Sequence, residues 1–500
     1  MMKRSCIIAL AVLCLLQRRA SGEPRPDFAL EAKVYGTVRV SGAISEAQPV
    51  VADIDAKLYI TLSSGNAALS NLLLLSQEVG ETVVELLEKV LNPLGILAPA
   101  SESQDVELFD TVLNAVDSLK QFVHTRLLDI NAELELAFGA SLTAQFSDSL
   151  GRMSLGLQEL ASALGALKEV VAVLLPLETS VENSEELGYT NAVRPSLVYR
   201  VVSAVRTLKA YLPVVTYTLS TVVENVATAD HFLVSLRRIV ADVQEPGQYT
   251  DPILATTSQV SGAVNDATAS VQAMFYEVND TVSALSDIPS LTAYVPVREA
   301  LASIRNTLQQ LSTAGPAFQS ALADIAEKLR LALETEPSKL TSQVVATLVT
   351  TLVSDGPYAR YCFHKYRDLL FALVGEGRLG LEECISKELS RLEHLRDALS
   401  EQVVLMRYDL EDIAGQMLVC NTLPETGARA ACLERIAPFY TEMATSFEAK
   451  FNALYEHGSL EADASENRLL LCAKVLHFHI VAGLAEDLTD KIKQCARVLY

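Results

Sequence analysis

The sequence predicts an all-α protein: an elongated array of long antiparallel helices, followed by a disulfide-stapled helical hairpin domain. Three observations carry this. Apolar residues recur three and four apart through most of the chain. Runs of that pattern are separated by short Pro, Gly, Ser or Asp breaks, which favour antiparallel neighbours. Six of the eight cysteines fall after residue 360. A hydrophobic content of 50 % and a mean hydropathy of +0.25 supply enough apolar surface for large cores.

Residues 1–22 read as a secretory signal. Lys3 and Arg4 precede an apolar run from Cys6 to Leu16, and Ala20-Ser21-Gly22 ends it with the small residues that signal peptidase accepts. A membrane anchor is the alternative, but the run is short of the roughly 20 residues needed to span a bilayer. No later segment reaches that length without charges, so a secreted, extracellular chain with no transmembrane segment after signal cleavage is expected. Residues 23–50 mix Pro, Gly and short β-leaning pieces and read as a loose leader.

Residues 51–355 form a helical region rich in Ala, Leu and Val and without cysteine. Residues 69–91 make one helix stopping at Asn92-Pro93, and residues 106–138 make the next. Further runs cover 154–175, 195–226, 253–288 and 298–311, with Pro213 expected to kink or split its helix. The segments are alike in length and composition, but no motif repeats at a fixed period.

The remainder, 356–500, is patterned more sharply. Ile385, Leu389, Leu392, Leu395, Leu399, Val403, Met406, Leu410, Ile413 and Met417 keep steps of three and four, which describes one long helix with a coiled-coil-like seam. A second helix carries Leu433, Ile436, Tyr440, Met443, Phe447, Phe451 and Leu454 and ends at Gly458. A third begins near Asn467.

In an exported chain, an even number of cysteines confined to one region reads as a disulfide framework. Folding back at residues 421–431 puts Cys420 beside Cys432. Cys384 lies 36 positions before Cys420 and Cys472 lies 40 after Cys432; the next steps outward are 22 to Cys362 and 23 to Cys495. Of fifteen possible connectivities, this near-symmetry favours nested rungs: Cys420 with Cys432, Cys384 with Cys472, Cys362 with Cys495. Zinc is the rival, but the chain lacks the close cysteine pairs that structural zinc sites use.

Cys362-Phe363-His364-Lys365-Tyr366 followed by Cys384, then Cys420, Cys432, Cys472 and Cys495, resembles the TsetseEP domain of secreted insect proteins. The resemblance spans about residues 360–497. It departs from the family in lacking additional central cysteines and the Glu-Pro repeat of the namesake. The resemblance implies an insect extracellular fluid, such as gut lumen, haemolymph or reproductive tract, with no established catalytic activity and an immune or reproductive setting.

The search for a chemical site yields little. Gly375, Gly377 and Gly380 are spaced as in a dinucleotide-binding loop, but that loop needs a strand before it and a βαβ unit around it. The preceding residues instead place Phe363, Tyr366, Leu370 and Val374 on one helical face, so the glycines read as a turn between helices. His477 and His479, two apart, point to different sides of a helix and make a poor metal pair. No catalytic residue, metal ligand or cofactor is assigned. Asn279-Asp280-Thr281 is a glycosylation sequon whose use requires Asn279 to face solvent.

A net charge of −22 argues against nucleic acid, and the absence of Trp with 6 % aromatic residues argues against a stacking platform. The expected function is non-catalytic binding or assembly, with extracellular proteins, surface molecules or further copies of the chain as partners. The alternative is an extracellular carrier of a lipid or steroid-like hydrophobic ligand held between apolar helices.

Overall fold

A computed structural model describes residues 26–100, 103–178, 193–243, 245–335 and 342–497. The expected export signal lies outside them. The described residues are all-α apart from one small hairpin. They form two compact units. One takes the chain up to Ser235 together with Thr347–Lys365 and the residues from Ile492, and the other takes Leu236–Ala346 and Tyr366–Lys491. The units do not follow the break in cysteine usage near residue 355. Burial of apolar helix faces decides which segments collect, and cysteine-free helices join cysteine-bearing ones wherever their faces match.

In the first unit, strands β1 (Pro26–Asp27) and β2 (Leu30–Lys33) pair antiparallel. Phe28 and Ala29 make the tight turn at φ 57° and 63°, a conformation that favours Gly or Asn. Tertiary contacts hold it: Phe28 is buried beside Phe109, and the Phe28 and Ala29 amides donate to the carbonyls of Ala98 and Ala100. Helix α1 (Thr37–Asp55) follows, so the second half of the expected leader is helix, its Val40, Ile44, Val51 and Ile54 turned inward.

Helix α2 (Ala67–Leu97) is capped by Asn66, whose Oδ1 accepts from the Leu69 amide at 3.1 Å. It runs through Pro93 instead of stopping there; with one turn left, only one backbone bond is lost. The expected helix over 106–138 is two, α3 (Glu107–His124) and α4 (Arg126–Phe138), broken at Thr125. Arg126 grips Glu78 of α2 with two bonds of 2.6 and 2.8 Å and so fixes the start of α4. Helix α5 (Ala140–Glu178) follows Gly139, whose φ of 91° suits glycine. Helix α6 (Pro195–Val243) continues through Pro213 without splitting.

Buried polar groups in this unit secure loops. Asp230 accepts from the amides of Ser63 and Ser64, both at 2.8 Å. Burial works against its ionised form, but hydrogen bonds from Ser64 and Ser63 outweigh it and hold the carboxyl below its usual range. Asp355, at φ 51°, receives Gln145 on its carbonyl at 2.7 Å and Asn225 on its carboxylate at 3.1 Å, and Arg360 in turn donates to Asn225 at 2.9 Å.

The second unit contains α7 (Gly247–Ser283), α8 (Val295–Gln309) and α9 (Leu311–Thr335), most of α11 (Ala359–Glu411), α12 (Ile413–Asn421) and α13 (Thr426–Phe478). Helix α10 (Ser342–Val353) and the last helix, α14 (Glu486–Ala496), divide between the units. The predicted seam lies inside this unit: Leu392, Leu395, Leu399, Val403, Met406, Leu410, Ile413 and Met417 are buried in a cluster with Leu433, Tyr440, Phe447, Phe451 and Leu454. Helix α13 does not end at Gly458. That glycine gives room to a neighbouring ring, since a Cβ there would come within 2.7 Å of Phe318. No third helix starts near Asn467, because α13 is continuous to Phe478 and passes into a π-helical turn, His479–Ala485.

Candidate functional site: an apolar cavity beside the cysteine-tied helices

The six cysteines pair as Cys362–Cys495, Cys384–Cys472 and Cys420–Cys432, with Cα separations of 5.9, 5.9 and 5.7 Å. The first lies in the first unit, where Phe363, next to Cys362, packs edge-on against Phe232. The other two lie in the second unit and tie α11 and α12 to α13.

The run Gly375 to Gly380 is not a turn. It sits in the interior of α11, where Gly380 faces α13 and Gly377 faces the π-helical turn that follows it. A Cβ on Gly380 would meet Leu476 at 2.5 Å, and one on Gly377 would meet Ile480 at 3.0 Å. Glycine inside a helix costs roughly 0.5–1 kcal/mol relative to alanine; here the missing side chains admit those of the neighbouring helix. Gly377 and Gly380, three apart, share that face, and this spacing was the available signal for close packing.

Beside this contact the second unit contains a cavity of about 730 Å³. Leu370, Leu373, Val374, Gly377 and Leu381 of α11 present one face to it, at steps of three and four. Leu470, Ala473, Lys474, His477 and Phe478 of α13 present another. Leu331 and Leu333 of α9, Tyr249 of α7 and the end of α6 complete most of the wall. Ile480 places the π-helical turn at its edge, an irregularity common at functional sites. The sequence foresees an apolar pocket only as a class; Leu370, Val374, Gly377 and His477 stand out in it for other reasons, and none of the wall is assigned to a pocket.

The polar groups of the wall are few. Lys328 is held by Glu466 at 2.7 Å, and that bond raises its pKa. Lys474 is exposed. The Tyr249 hydroxyl is buried with no hydrogen-bond partner among the described residues; burial pushes its pKa up and the charge of Glu382 adds to this. Next to the Cys384–Cys472 bridge, Glu388 is 1 % exposed. Arg468 binds it at 2.7 Å and Arg391 at 2.9 Å, and Arg468 also reaches Glu461 at 2.8 Å. Burial opposes the charge on Glu388, yet the bonds from Arg468 and Arg391 prevail and hold the carboxyl below its usual range.

The apolar surface continues outward from the cavity. Phe478 is 71 % exposed, with Leu471 and Val475 also exposed on the same helix. This part of the chain holds an 18-residue window apolar enough by length and composition to cross a membrane, 11 % of it buried. The Cys384–Cys472 bond ties the window to α11, whose Arg378, Glu382, Glu383 and Lys387 form surface ion pairs.

His477 lines the cavity, whereas His479 is exposed in the π-helical turn. Among the described residues, no three His, Cys, Asp or Glu side chains gather to hold a metal ion. Asn279 is half-buried on α7, and its side-chain oxygen accepts from Arg305 at 2.9 Å. Compared with known proteins, the chain matches no family model, no curated protein and no solved structure.

Proposed function

We propose that this chain is a non-catalytic extracellular binding protein that carries a hydrophobic ligand in the cavity between α9, α11 and α13. The observation that supports the carrier reading is the cavity itself. Its size falls in the range of small-molecule sites, its wall is mostly Leu, Val and Ala, and its polar groups are few. Three disulfides point to an oxidising compartment. The signal-like N-terminus favours secretion, and the resemblance of residues 360–497 to the TsetseEP domain favours an insect fluid as the setting.

The test is purification from a eukaryotic secretion host, followed by organic extraction and mass spectrometry. A hydrophobic molecule at near-stoichiometric yield is expected. An empty protein that also fails to take up apolar dyes would sink the reading.

Assembly with other proteins is the second reading, favoured by exposed Leu471, Val475 and Phe478 on one helix. It predicts concentration-dependent association by sedimentation, lost in Phe478→Glu.

A further inference from the structure

The carrier reading leaves open what kind of hydrophobic molecule fits, and the charges at the cavity narrow it. The chain as a whole is strongly acidic, with 62 Asp and Glu against 40 Lys and Arg. Yet no carboxylate is found among the described residues that line the cavity, while two lysines are. Both stand where the cavity meets solvent: Lys474 is exposed, and the Lys328 side chain is 51 % exposed. Glu466 already neutralises Lys328. Lys474 occupies a different position. It belongs to the same helical face as Leu470, Ala473 and His477 and lines the cavity while staying exposed, as a side chain with an apolar stem and a charged tip does.

A wall of this kind fits a molecule with one apolar chain and one charged end. The chain is buried against Leu370, Val374 and Leu381, with about 25 cal/mol gained per Å² of apolar surface removed from water. The head remains at the rim, where the exposed ammonium of Lys474 attracts an anion and repels a cation. We propose that the cavity takes a single-chain anionic amphiphile, a carboxylate or phosphate head on an alkyl chain, with the head at Lys474. This rests on the cavity being a ligand site, and the experiment separates the two claims.

The full chain, secreted with its disulfides intact, is loaded with an uncharged apolar fluorescent dye. The dye is then displaced with dodecanoate, dodecyl phosphate or dodecanol, below their micellar concentrations. One or both anions should displace the dye at a concentration at least about tenfold lower than the alcohol, the scale expected of one close charge pair. Which anion is stronger distinguishes a fatty-acid source from a phospholipid one. Lys474→Glu should reduce that advantage to less than about threefold, read as the ratio of anion to dodecanol displacement within the same variant. Lys474→Met, which keeps the length of the stem without the charge, should fall between. If dodecanol matches both anions, or Lys474→Glu leaves the gap intact, the anionic head is wrong and the cavity reading survives. If the dye never binds, the cavity reading falls and takes this inference with it.

Discussion

In the first unit, α1 to α5 turn rows of Leu, Val and Phe onto one another, and buried Asp230 and Asn225 with half-buried Asp355 hold loops in place. In the second, a bridge and a buried charge cluster hold α11 against α13, and an apolar cavity lies beside them. Helices α1 to α5 carry no disulfide and associate mainly by packing, with ion pairs such as Arg126–Glu78 at their edges, and must fill the space between them, because each void forfeits contacts on its lining. Helices tied by Cys384–Cys472 and by Glu388 with Arg468 can leave volume empty and stay together. The difference suggests where a ligand is tolerated: beside covalent and ionic ties.

The most damaging change to this contrast is removal of Cys384–Cys472 by a double serine substitution. The bridge closes a separation of 88 residues, so the loop-entropy account assigns it about 4–5 kcal/mol. Native-state hydrogen exchange should show lost protection within 366–491, with α1 to α5 unchanged. Uniform loss across both units would refute the division of roles.

Next in size is Glu388→Gln, which leaves Arg468 and Arg391 facing a neutral amide at a cost of about 3 kcal/mol. The pH dependence follows from the lowered carboxyl. The stabilisation is fully present above the unfolded carboxylate value of about 4.3 and disappears as pH falls through the lower folded value. Denaturation at pH 7 and pH 3 should therefore show a smaller acid-induced loss in the variant than in the parent. An equal loss in both would remove Glu388 from the account.

Gly380→Leu tests the close approach of α11 and α13. Overpacking against Leu476 should cost about 1–3 kcal/mol and reduce dye capacity as the helices separate. Unchanged melting would mean that the two helices adjust without cost. The smallest effect is expected from Tyr249→Phe. It removes a buried hydroxyl with no partner among the described residues, so stability should stay level or rise by up to about 1 kcal/mol. A clear destabilisation in thermal melts would show that the hydroxyl is hydrogen-bonded in solution.

Much of the second unit was legible because its signals repeat. The seam from Leu392 to Met417 keeps its period over several turns, and those residues are buried as that period requires. The nested cysteine pairing followed from matching separations on two arms of one hairpin. Other features depended on context. Pro93 and Pro213 sit inside helices, because one lost backbone bond weighs little against long buried faces. Phe28 and Ala29 hold a turn that their residue types disfavour, because Phe109 and the carbonyls of Ala98 and Ala100 hold it in place. The cavity was not legible at all, since an apolar helical face has the same pattern whether its neighbour fills the space or leaves it empty.

By itself, the sequence determined that the chain would be helical, which faces would be buried, and which cysteines stood at matching distances from a common bend. These are properties of spacing along the chain. Tertiary structure decided what Gly377, Gly380 and Gly458 do. A glycine serves equally as the end of a helix or as a gap for another side chain, and the choice belongs to Leu476, Ile480 and Phe318. Here long helices continue through all three glycines, and the first two bring α13 onto α11 beside the cavity.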